Sequence, residues 1–533
     1  MSARHQLLAL AAVAGAVLGV APAASAEIAA TAPALPSLAW KPCGEAANVS
    51  CSTFEVPRDY ERPRVASLRL FVAKSPATDP AHRIGSLFVN PGGPGSSIAA
   101  ALEANGAGLF AALNARFDII AMDPRGAGQS APAIDCHADQ ERDGIYSQPF
   151  MTPKSLDIFS LAAKDASYVH RCLRLNPELR YVSTENVARD MDLVRQALHE
   201  QQITYVGFSY GTVLGATYAS LFPKSYRAMV LDGPVDADAY FNDPMSELSA
   251  QSSGFESSLD RFLAACASDQ GACSGFGGGD PQAAYDRLLA RLDRAPLATP
   301  DGRAVDGDDA RAGTLIALYS KSNWPFLGQA LADLERGDGA NMRFAADLYY
   351  ARNDDGTYQP GPDAYFAITA IEQRYPHDLG TYLRAGRRSF EEHPHFWWNN
   401  GYLELNYGIF PVRGDSVFSG PFRVPRSSPA PLVVATTHDP ATPYRGAQNL
   451  VRELANARLL TMDGDGHTAY GANSACIDRT VESYVADGTL PPSGTVCQQD
   501  VGFSAARSKS APLVGGPAIG AIGPHARPTA ALP

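Results

Sequence analysis

The chain has no long run of lysine or arginine, and its formal net charge is −12. Nucleic acid and anionic membrane surfaces are therefore poor partners. No apolar stretch reaches the roughly 20 residues a helix needs to cross a bilayer. Leu7–Val20, near the start, covers only 14 residues. None of the eight cysteines form a Cys-x-x-Cys pair, and their scatter lacks the ligand spacing of a zinc site. There is no twin arginine near the start and no cysteine at the cleavage point, so neither Tat export nor a lipoprotein anchor is supported. No internal repeat is present.

What is present points to export. Arg4, the apolar segment Leu7–Val20 and the small residues Ala24-Ser25-Ala26 make residues 1–26 an expected Sec-type signal peptide. Residues 27–39, with Pro33 and Pro36 among alanines, are expected as a linker or propeptide. An even cysteine count suits an oxidising compartment. Cys43/Cys51, Cys266/Cys273 and Cys476/Cys497 look like locally closed loops, leaving Cys136 and Cys172, although spacing alone does not fix connectivity. With 533 residues and 45% hydrophobic content, the chain can bury a large core and is expected to hold more than one domain.

Short apolar runs alternate with helical patterns across residues 40–234. Strands are expected at Leu68–Ala73, Ser86–Val89, Phe117–Met122, Ile203–Val206 and Arg227–Asp232, with a helix over Val187–Glu200. This rhythm predicts an α/β fold: a mostly parallel sheet flanked by helices, with ligands bound at the strands' carboxyl ends. Residues 235–427 are instead rich in helix formers and aromatics such as Trp324, Tyr365 and Trp397, and are expected as a large helical lid inserted between core strands. The core resumes over 428–497, with strands at Pro431–Thr437 and, as the last one, Ala457–Met462. A Gly/Ala/Pro-rich tail, 498–533, is expected to be disordered.

The stretch with most chemical content is Gly207-Phe208-Ser209-Tyr210-Gly211, between an apolar strand and a small-residue helix. Such a turn lifts a serine hydroxyl out of the sheet beside a helix N-terminus. A serine needs a base, and the base needs an orienting acid; on this architecture they follow in the order Ser, Asp, His. Asp439 lies just past the strand after the lid, and His467 just past Leu459–Met462. His438 as base, and Asp463, Asp465 or Asp232 as acid, are weaker candidates. Two N–H groups should face the oxyanion: that of Tyr210, and one from Gly92-Gly93-Pro94-Gly95, with Gly93 preferred and Gly92 next. Asp123–Ser130 is expected to shape the site floor. Pro394 breaks helical ligand spacing between His393 and His395, so a surface loop is expected there and no metal site.

Several stretches together resemble the secreted tripeptidyl aminopeptidases of actinobacteria, in the prolyl aminopeptidase branch of the α/β-hydrolases. They are Val89–Gly95, Asp123-Pro124-Arg125-Gly126, Ala188–Asp192, Gly207–Thr212, Val230–Gly233, Asp439–Pro443, Gly466-His467 and the closing Cys476–Cys497. The resemblance implies a serine exopeptidase acting at a free N-terminus, with Ser209, Asp439 and His467 as the triad and no cofactor. Its expected partners are peptide substrates with a free N-terminus, without nucleic acid or membrane, and the chain is expected to be a monomer. In the lid, Ala370 and Glu372 stand where the family carries a cysteine and an aspartate, and Glu372 is the candidate to hold the substrate ammonium. A carboxylesterase with the same triad is the main rival reading; a hydrolase-fold binding protein without turnover is the other.

Overall fold

The computed structural model describes residues 37–144, 154–397, 402, 404–471 and 473–503. The expected signal peptide, nearly all of the expected linker and most of the expected tail lie outside the described residues. Strands β1 (Lys41–Pro42), β2 (Ser50–Pro57), β3 (Ser67–Ser75), β4 (Gly85–Asn90), β5 (Phe117–Asp123), β6 (Ile203–Phe208) and β7 (Tyr226–Asp232) precede the lid. Within it, β8 (Leu297–Ala298) and β9 (Ala304–Val305) pair as a small ribbon, and β10 (Leu432–His438), β11 (Arg458–Asp465) and β12 (Val496–Gln498) follow it. Ten strands form one sheet in the order β1-β2-β3-β5-β4-β6-β7-β10-β11-β12.

From β5 through β12 every pairing is parallel, whereas β1, β2 and β3 join antiparallel. The composition explains the split. Every residue of β4 and of β6 is buried, as befits central strands covered on both faces. In β2, buried Phe54 and Val56 alternate with exposed Thr53 and Glu55, the pattern of a sheet margin with one wet face. Side chains of β6 divide by parity: Tyr205 packs into the apolar layer on one face, Val206 and Phe208 into the layer on the other.

The margins were not legible from periodicity. Short β1 and the strand β2 were not anticipated, and β11 is not the last strand, because β12 pairs beside it. Residues 498–503, the described start of the expected disordered tail, pack on the fold. Gln499 and Asp500 make backbone bonds to Asp463 and Asn473, and Phe503 packs edge-on against Trp324 and Phe262.

Between β7 and β10 the described residues hold nine helices with their own apolar clusters. Helix Pro244–Ser268 lies against the loop after β10: Gln251 Nε2 donates to Ala441 O at 2.9 Å, and a Cβ on Gly254 would fall 2.5 Å from Pro440 O. Helix Gly361–Glu372 lies against the loop after β4, where a Cβ on Gly95 would be 2.8 Å from Ala364 Cβ. The lid thus rests on the carboxyl ends of the strands.

All eight cysteines are paired: Cys43–Cys51, Cys136–Cys172, Cys266–Cys273 and Cys476–Cys497. The last ties the final helix, Ala475–Asp487, to β12. No described helix is long and apolar enough to cross a membrane.

Candidate active site

Ser209 sits between β6 and helix Tyr210–Leu221 with φ +54° and ψ −126°. A non-glycine residue rarely holds that conformation unless its surroundings enforce it. They do so here. Ser209 N–H donates to Asp232 O at 2.9 Å, and Ser209 O accepts from the N–H of Thr212 at 2.8 Å. A side chain on Gly207 would collide with Gly211 O and, at 2.6 Å, with the Tyr205 ring. Ser209 is partly exposed while both its neighbours are buried. The turn therefore presents the Ser209 side chain, and not its neighbours, at the carboxyl end of β6.

The glycine loop after β4 presses directly on this turn. A Cβ on Gly92 would lie 2.7 Å from Phe208 O, 2.9 Å from Ser209 Cβ and 3.3 Å from Tyr210 N. Gly92 N–H is engaged by Asn90 Oδ1 at 3.0 Å, while that of Gly93 meets no acceptor among the described residues. Tyr210 opens its helix, where an N–H has no intrahelical partner. The Asp123 carboxylate anchors the far end of the loop. It accepts from Ser97 Oγ, Ile98 N, Ala99 N and Gln129 N, and burial pushes its pKa up to about 6 against those four bonds. Nearby, Arg125 and Asp190 form a fully buried two-pronged ion pair, so two of the sequence motifs meet in one contact.

Asp439 and His467 come together. His467 Nδ1 lies 2.9 Å from both Asp439 oxygens, with both side chains essentially inaccessible. Four further donors hold the carboxylate: Ala441 N and Thr442 N at 2.9 Å, Thr442 Oγ1 at 3.0 Å and Thr468 N at 3.3 Å. An acid so saturated orients the imidazole, leaving Nε2 as the basic atom. His467 Nε2 is buried and makes no hydrogen bond among the described residues, so Ser209 Oγ is not bonded to it. The two are neighbours through Gly233, where a Cβ would be 3.0 Å from His467 Cε1, one residue beyond the carbonyl that holds Ser209 N–H. Such nucleophile–base bonds commonly tighten only when substrate arrives.

The weaker candidates have other partners. Asp232 accepts from Ala469 N and Tyr470 N, supporting the histidine loop from below, and burial raises its pKa to about 7. Asp465 is ion-paired to Arg261 and Lys321 of the lid. His438 is half-buried at the end of β10, with its pKa lowered by burial. His395 does not lie in a free surface loop; its ring nitrogens face Glu256 and Asp286.

Glu372 is wholly buried. Oε1 accepts from Thr184 Oγ1 at 2.9 Å and Tyr240 OH at 2.7 Å, Oε2 accepts from Thr184 N at 2.9 Å, and burial raises its pKa to about 7. Thr184 Oγ1 in turn meets Tyr210 OH at 2.5 Å. An incoming ammonium would have to displace these donors to reach Glu372.

Thr442 was missed by sequence reading, though Asp439-Pro440-Ala441-Thr442 carries its signal: an aspartate that caps N–H groups two and three residues ahead.

The sequence profile of the alpha/beta hydrolase fold matches residues 85–473. The chain belongs to the α/β-hydrolase fold family. It is 35% identical over 486 residues to the serine protease Hip1 of Mycobacterium tuberculosis, covering 86% of this chain and 90% of that protein. Carboxylesterase B of the same organism is 33% identical over 483 residues, 87% of this chain and 90% of the relative. The tripeptidyl aminopeptidase of Streptomyces lividans is 29% identical over 486 residues, 89% of each. This α/β-hydrolase is thus a serine hydrolase, similar to serine proteases and aminopeptidases, and the resemblance to the tripeptidyl aminopeptidase family is real.

Proposed function

We propose that this serine hydrolase is a secreted exopeptidase that releases short peptides, tripeptides foremost, from the free N-terminus of peptide substrates. Ser209 attacks the scissile carbonyl and His467 takes its proton, while Asp439 fixes the imidazole. The N–H groups of Tyr210 and Gly93 receive the oxyanion, His467 returns the proton to the leaving amine, and water then frees the acyl group. The observation that carries the exopeptidase reading is the lid itself. Its helices lie on the loops after β4 and β10, and His467 is fully buried beneath it. A capped site admits a chain end more readily than the middle of a folded protein. Four disulfides and the leader-like start support export.

An ammonium entering such a site needs a carboxylate, since a buried charge without a partner is costly. Glu372 could serve only by giving up Thr184 and Tyr240. Glu247 needs no such exchange. It stands one helical turn before Gln251, on the face of helix Pro244–Ser268 that touches the Asp439 loop, and it is half-buried. Its carboxylate makes no hydrogen bond among the described residues, and burial, reinforced by Asp236, raises its pKa to about 8. A substrate ammonium would supply the missing counter-charge.

A carboxylesterase is the second reading, favoured by the 33% identity to a relative of that name. Chromogenic amides of one, two and three residues, each with a free and an acetylated N-terminus, separate the two. The exopeptidase cleaves only the free-amine set, and Ser209→Ala does not. Equal cleavage of the acetylated set overturns the proposal, and turnover of simple esters alone establishes the esterase.

A further inference from the structure

The histidine loop is gripped from the lid as well as from the sheet. Asp465, two residues before His467, is 3% exposed, and both its oxygens are taken by lid cations. Lys321 Nζ donates to Oδ2 at 2.7 Å, and Arg261 Nε donates to Oδ1. Burial pushes the Asp465 pKa up, but the bonds from Arg261 and Lys321 outweigh it and hold the carboxyl below its ordinary value. The lid segment carrying Lys321 also binds the loop through its backbone. Tyr319 O accepts the His467 N–H at 2.7 Å, Ser320 bridges to Gly466, and the Tyr319 ring meets the His467 ring edge-on at 5.5 Å between centroids. On the opposite side Gln499 takes both main-chain groups of Asp465, accepting its N–H at 3.0 Å and donating to its carbonyl at 2.8 Å.

We propose that Asp465 is a positioning residue for the catalytic base: the Arg261–Asp465–Lys321 cluster seats lid segment 319–321 on the histidine loop, so His467 is held for proton transfer only while the lid is in place. A buried carboxylate with two cationic partners strongly resists losing either one. The cluster stands beside the only backbone bond given to the His467 N–H among the described residues, so a lid that lifts takes both constraints with it. Reactivity at Ser209 is thereby coupled to lid closure. This rests on the serine hydrolase chemistry alone and holds for peptide or ester substrates.

The test uses the full mature chain, hydrolysis of p-nitrophenyl acetate and the rate of Ser209 labelling by a fluorophosphonate. Lys321→Met is expected to lower kcat and the labelling rate about tenfold, as small misplacements of a catalytic group do. KM should stay close to wild type, and Lys321→Arg should restore most of the rate. The thermal midpoint falls because buried Asp465 loses one cation, so rates are compared at a temperature where both proteins are fully folded. Asp465→Asn, nearly isosteric, should show the same loss with circular dichroism unchanged, which keeps the test decisive if a cation variant folds poorly. The proposal is overturned if Lys321→Met and Asp465→Asn both fold and keep kcat within about twofold of wild type. It is equally overturned if the loss follows the thermal midpoint and Lys321→Arg fails to rescue it.

Discussion

The sheet and the lid hold the active site by different means. At the ends of β6, β7 and β10 the candidate nucleophile and acid, and Asp232 beside them, are held largely by main-chain atoms: Asp232 O for Ser209 N–H, Ala441 N and Thr442 N for Asp439, Ala469 N and Tyr470 N for Asp232. The lid is tied to the core largely through ionisable side chains, beside the main-chain bond from His467 N–H to Tyr319 O. Arg261 and Lys321 reach Asp465, Glu372 reaches Thr184, and Asp363 binds Tyr168 OH, Gln140 Nε2 and Cys136 N. Peptide groups do not titrate and carry no net charge. The main-chain hold on Ser209 should therefore be insensitive to pH and salt, whereas the lid's ion pairs should depend on both and the bonds to Asp232, whose pKa lies near 7, on pH.

Three changes sharpen that contrast. Asp439→Asn should be the most severe, lowering kcat by about 10³–10⁴-fold because the amide favours the wrong imidazole tautomer. Its thermal midpoint should move little, since Ala441 N and Thr442 N can still bond the remaining carbonyl oxygen. Retained activity would show that Asp439 does not serve as the triad acid. Glu247→Gln should act on recognition: KM for free-amine substrates is expected to rise about tenfold, the worth of one lost charge pair. KM for acetylated or ester substrates should not change. An unchanged KM for free-amine substrates would remove Glu247 from amine binding.

Glu372→Gln should have the smallest effect, on stability. Burial raises the folded-state pKa of Glu372 to about 7 from an ordinary 4.5, so the folded protein binds this proton more tightly than the unfolded chain. The resulting stability is fully present below about pH 4.5 and is lost as pH rises through about 7. Wild type should therefore lose more thermal stability than Glu372→Gln between pH 5 and pH 8, by about 1–3 kcal/mol. Parallel unfolding curves would show that this lid contact does not titrate in that range.

The part of the site that could be read from the sequence is the part held by main chain. Ser209, Asp439 and His467 each follow an apolar run, and a strand end followed by a tight turn is a local property of a few consecutive residues. Glycines at 207, 211 and 92 mark where backbones touch, because any larger residue there would collide with a neighbour. What stayed hidden depends on the path of the lid. Asp465 stood only as a weaker candidate for the acid, yet it binds lid cations 204 and 144 positions away. Glu372 looked open to a substrate, yet Thr184, 188 positions earlier, occupies it. Likewise β12 and Gln499 lie in a stretch whose composition carries no periodicity, and it is the neighbouring β11 that orders them.

The sequence by itself determined the α/β architecture and placed Ser209, Asp439 and His467 after successive strands, both of which follow from local periodicity and turn chemistry. Only the tertiary structure decided which charges meet. An ion pair or a buried carboxylate gains its energy from neighbours brought together after the helices pack, and no local pattern encodes that distance.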